Sequence, residues 1–135
     1  MNDAQPEKLD NTYDFFDKVN WDAVGHNKID KETYGRIRIA NKRLYATLLG
    51  DEKETQFFMF KPLLWSDYKE IKAKSLDKVA THEFIFSSCV QWPKVNPILV
   101  ANIEAGIMTT VVYQILSVSN FLSNPEKALE MIIEV

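Results

Sequence analysis

The amino-acid sequence predicts an α+β fold: a small antiparallel β-hairpin or meander packed on a C-terminal bundle of three to four helices, preceded by an N-terminal helical arm. Three observations predict it. Residues 44–61 read as strand, polar turn and strand, closed by Pro62. Beyond Pro62 the apolar residues recur at helical spacing, and N-cap and proline signals punctuate the chain. Finally, 135 residues that are 46% hydrophobic and 26% charged suit a domain that needs no metal or disulfide to fold. On this reading residues 1–33 form a tail and amphipathic arm, and residues 34–135 a single α+β domain.

Residues 1–10 are polar and acidic, so they read as a loosely held tail without the apolar centre of a secretory signal. From Asn11 to Val24, the residues Tyr13, Phe16, Val19 and Val24, with Phe15 and Trp21 beside them, predict a short amphipathic helix that breaks near Gly25. Its aromatics either pack on the body of the domain or dock on a partner, since aromatic side chains are the usual anchors of interfaces.

Residues 34–49 admit two readings. Tyr34, Ile37, Leu44 and Leu48 fit helical spacing with Gly50 as a stop, whereas Arg36-Ile37-Arg38-Ile39 alternates with the period of a half-buried strand. Leu44 to Leu49 and Thr55 to Lys61 flank the turn GDEKE, and the run Phe57-Phe58-Met59-Phe60 favours extended structure.

The helical part begins with Ser66 as the expected N-cap and Asp67 in the first turn, where the helix dipole favours an acid. Trp65, Tyr68 and Ile71 form its apolar stripe; Trp65, Tyr68 and also Trp92 are expected in the core. A second helix is expected from Asp77 to Trp92, ended by Pro93. Asn96-Pro97 and Asn124-Pro125-Glu126 are helix starts, each an N-cap residue followed by proline at the first helical position. Between them, roughly Ile103 to Asn120, runs a helix apolar on most sides and therefore central. The stretch Ile98 to Leu122 is apolar, but Asn102, Glu104, Gln114 and Asn120 interrupt it. A central acid in a membrane span costs about 2.5–3.5 kcal/mol, so a core helix is expected rather than a membrane span.

Chemistry requires groups within reach of one another, and the sequence offers few. His82 and Cys89 lie seven apart in one expected helix, about 10 Å along its axis, too far for a nucleophile–base pair. Cys89 reads as a small buried hydrophobe. One cysteine excludes an intramolecular disulfide, and with His26 and His82 it falls short of a zinc set. Gly25, Gly35, Gly50 and Gly106 are scattered, so no phosphate-cradling loop forms. No enzyme activity and no cofactor or metal is therefore expected. Arg36, Arg38, Lys42 and Arg43, near Tyr34 and Tyr45, could meet phosphates and a base, but the net charge of −3 and the adjacent acidic turn oppose it.

The segments FKPLLWSDYKEI (Phe60 to Ile71), HEFIFSSCVQWP (His82 to Pro93) and EAGIMTTVVYQILSVSNF (Glu104 to Phe121) follow one another in a recognisable order. Their succession resembles small tail or baseplate assembly chaperones of contractile-tailed bacteriophages. In those proteins an aromatic strand ends in a basic residue followed by Pro-Leu, then come a capped helix, a helix closing in Cys-Val and proline, and a helix opened by Ala-Gly. The matching residues are Lys61-Pro62-Leu63, Tyr68-Lys69, Cys89-Val90 with Pro93, Ala105-Gly106-Ile107, and Ile115-Leu116 with Ser119 and Phe121. Asn120 departs from the glycine usual there, and the N-terminal third has no counterpart.

The resemblance implies a non-enzymatic protein that binds another phage virion or tail protein during morphogenesis, in the host cytoplasm, as a chaperone. A structural or adaptor component retained in the virion is the alternative, and a small nucleic-acid-binding domain comes third. The expected partner is protein and not a membrane, nucleic acid is disfavoured, and a homo-oligomer is compatible. Contact is expected through Phe15, Phe16 and Trp21 and through the strand residues Phe57, Phe58 and Phe60, whose backbone edge could accept a partner strand.

Overall fold

Asn-Pro, Asp and Pro-Leu signals set where the chain changes conformation. The computed structural model describes residues 6–9, 14–50, 55–121 and 124–133. Among them the elements are β1 (Glu7–Lys8), α1 (Asp14–Lys18), α2 (Lys31–Ala40), β2 (Tyr45–Leu49), β3 (Gln56–Phe60), α3 (Trp65–Lys74), α4 (Lys78–Cys89), β4 (Val90–Trp92), α5 (Pro97–Asn102), α6 (Ala105–Ser117) and α7 (Pro125–Ile133). The four strands form one antiparallel sheet in the order β1-β2-β3-β4. The fold is α+β, as the sequence predicts. The chain divides into two compact units, residues 1–61 with 90–94, and residues 62–89 with 95–135.

The first unit holds the sheet. Tyr45 pairs with Phe60, Thr47 with Phe58 and Leu49 with Gln56, which is the expected hairpin register. Gly50 at its tip has φ 112°, a region that a residue without Cβ enters at no steric cost. Both faces of the hairpin are buried. On one face Ala46, Phe57 and Met59 join Leu9, Val24, Ile29, Tyr34 and Leu44 in a single apolar cluster. On the other, Tyr45, Thr47, Phe58 and Phe60 are buried, and the Tyr45 and Phe60 rings stack at 6.0 Å. That double burial explains why the strand reads as a continuous apolar run instead of an alternating one.

Residues 36–39 are helical. Asp30 caps α2, its Oδ1 accepting the Thr33 N–H at 2.7 Å. In that helix Ile37 packs against the cluster while Ile39 is 85% exposed. The period-two pattern thus records one partly buried and one exposed position rather than a strand.

The second unit is helical. α6 is its centre, burying Ile107, Val111, Val112, Ile115 and Leu116, and it packs on α4 and α7. α3 in turn meets α4 and α7. Asn96 and Asn124 act as expected, their side-chain oxygens accepting the Leu99 and Lys127 N–H groups. The loop before α3 is tied to the end of α6: the Leu63 N–H donates to Ser119 Oγ at 2.9 Å, and the Ser119 hydroxyl donates to the Ile115 carbonyl.

Four expectations are corrected. The helix over 11–24 is a short α1 followed by a 3₁₀ turn at Trp21–Ala23, with residues 11–13 outside the described residues. Aromatic packing and the bond from Trp21 Nε1 to the Phe16 carbonyl (2.9 Å) outweigh the weak helix propensity of this segment. Within the tail, residues 7–8 are strand, and Leu9 is buried with its N–H on the Leu44 carbonyl; residues 1–5 and 10 lie outside the described residues. The second helix stops at Cys89, and Val90–Trp92 become β4, because the residue before proline is driven out of the α region and β3 offers a ladder. Lastly, Ser66 lies inside α3, whose N-cap is Leu64; the Asp67 carboxylate reaches back to the Leu64 N–H at 3.0 Å.

Candidate functional site

The aromatic residues expected to meet a partner are packed into the first unit. Phe15 and Phe16 are half-buried against the cluster, and Trp21 lies edge-on to Phe57 with ring centroids 4.9 Å apart. Phe16 also touches Trp21 at 5.0 Å and Tyr34 at 5.5 Å. Phe57, Phe58 and Phe60 have no exposed surface. Phe57, Phe58 and Phe60 can reach a partner only if the unit opens, whereas Phe15, Phe16 and Trp21 keep part of their surface. Nor does β3 offer an edge. β2 lies on one side; on the other, β4 pairs with Met59 and Phe60, and the Phe57 N–H donates to the His26 carbonyl at 3.1 Å.

The basic patch is likewise short of a stacking platform. Tyr34 is fully buried and Tyr45 is buried beneath Arg43, whose guanidinium donates to the Tyr45 hydroxyl at 2.9 Å. Arg36 Nη2 donates to Thr33 Oγ1 at 3.1 Å. Trp92 is half-buried against the cluster and donates from Nε1 to the Asn27 carbonyl at 2.7 Å.

Cys89 is buried and outside any disulfide, and His82 Nδ1 donates to the Lys78 carbonyl at 2.8 Å within its own helix. No group of three or more His, Cys, Asp or Glu residues that could hold a metal occurs among the described residues. No helix among them is long and apolar enough to cross a membrane. The Asp30 carboxyl is held below its ordinary range by the backbone and hydroxyl of Thr33, with Arg36 adding a smaller effect; this is a helix cap, not a reactive group. A groove of about 290 Å³ lies among α4, α5 and α6, lined largely by Val79, Val100, Ile103 and Met108, with Lys78, His82 and Glu83 as its titratable residues.

One surface in the second unit was not singled out by the sequence. Trp65 is 71% exposed and Leu64 beside it 53%, against the expectation that Trp65 fills the core. The first turn of α3 carries Trp65 on the outward side, and Ile71 is the one α3 residue that is buried. The Trp65 and Tyr68 rings stack with centroids 5.1 Å apart and planes 17° from parallel. The Lys72 ammonium sits 5.7 Å from the Tyr68 ring centre and 3.3 Å from the Met131 carbonyl. Met131, on α7, is itself half exposed. The legible signal was the lysines at 69 and 72, which flank this aromatic pair on one helical face. No known protein family, curated protein or solved structure matches the chain.

Proposed function

We propose that the chain is a non-enzymatic assembly protein of a contractile phage tail or baseplate, acting as a chaperone that binds another virion protein during morphogenesis in the host cytoplasm. The succession of motifs over residues 57–122 supports the tail-assembly part of this reading. The observation that carries the binding part is Trp65, which is 71% exposed and stacked on the half-buried Tyr68. A tryptophan left largely in water forgoes burial of about 150–250 Å², and exposed apolar patches of this kind are where proteins meet partners.

Several of the motif residues suit a framework role. Leu63 and Ser119 come from two separate motif segments, and their hydrogen bond fixes the start of α3 to the end of α6. Ile107 and Cys89 are buried packing residues.

The test is a pull-down of the tagged chain from infected cells, combined with mass spectrometry of purified particles. A chaperone brings down a virion protein in stoichiometric amount and is missing from the particles. A fixed copy number in the particles would instead establish the structural or adaptor role. Recovery of no virion protein, with none of the chain in the particles, refutes both.

A further inference from the structure

We draw no further inference here: the strongest candidate, the apolar groove among α4, α5 and α6 lined by Val79, Val100, Ile103 and Met108, is bordered by charges of both signs at Lys78 and Glu83, and nothing in the structure shows what covers it.

Discussion

Truncating Phe57 separates a packed aromatic from a docking one. Phe57 is fully buried, stacked on Phe15 at 6.1 Å and met edge-on by Trp21 at 4.9 Å. A phenylalanine buries on the order of 200 Å². At about 25 cal/mol per Å², that area corresponds to roughly 5 kcal/mol, of which alanine keeps the Cβ share. Phe-to-Ala changes in cores cost about 3–5 kcal/mol once the residual cavity is included. We expect about 4 kcal/mol for Phe57→Ala.

With a urea slope of about 2 kcal/mol per M, the unfolding midpoint should fall by about 2 M. The near-ultraviolet circular dichroism of Trp21 should collapse with it. Should the alanine variant fail to fold at all, Phe57→Leu gives the milder version, about 1 kcal/mol and about 0.5 M. A midpoint for Phe57→Ala within about 0.3 M of wild type, with the Trp21 signal intact, would refute the packing argument and return Phe57 to the list of contact residues.

Three further outcomes follow from single contacts. Ser119→Ala removes the acceptor of the Leu63 N–H, whose residue is 8% exposed, and should cost about 1–2 kcal/mol in urea titration; a neutral result would mean that water replaces the hydroxyl. Trp65→Ala should leave stability within about 0.5 kcal/mol of wild type, because the ring is largely in water; a loss above about 2 kcal/mol would show that Trp65 belongs to the core. The lowered pKa of Asp30 means that the folded state favours the carboxylate, so its contribution is complete above the unfolded aspartate value and disappears as pH falls through the folded value. The protection factor of the Thr33 amide, its exchange rate set against the intrinsic rate at the same pH, should therefore fall on acidification in wild type and much less in Asp30→Asn, which keeps a capping oxygen but cannot titrate; an equal fall in both would remove the cap as the cause.

The hairpin was legible because a polar turn between two apolar runs leaves few alternatives, and the glycine at its tip has the positive φ such tips need. The starts of α5 and α7 were legible for a similar reason: Asn followed by Pro satisfies an amide and fixes φ locally. What escaped the sequence depends on distant residues. Val90–Trp92 carries little that distinguishes it from a last helical turn, and pairing with Met59 and Phe60 decides it. Ile37 and Ile39 have the same chemistry, yet the placement of α2 partly buries one and exposes the other.

The same limit governs the candidate surface. A run of phenylalanines is what both a core strand and a binding edge require, so Phe57 to Phe60 can be read either way from the sequence; the structure buries the run on both faces of the hairpin. Trp65 sits on a stripe whose spacing fits burial. Its exposure follows from α3 turning Ile71 inward, and that rotation is set by packing on α4 and α7 rather than by any local residue.

The most direct test of the central claim places a photoreactive side chain at position 65 of the full chain, with a second version at the still more exposed position 39, 85% against 71%, and irradiates infected cells during tail assembly. The expected result is a covalent adduct to one virion protein from position 65 and none from position 39. No adduct from position 65, or the same adducts from both positions, would contradict it.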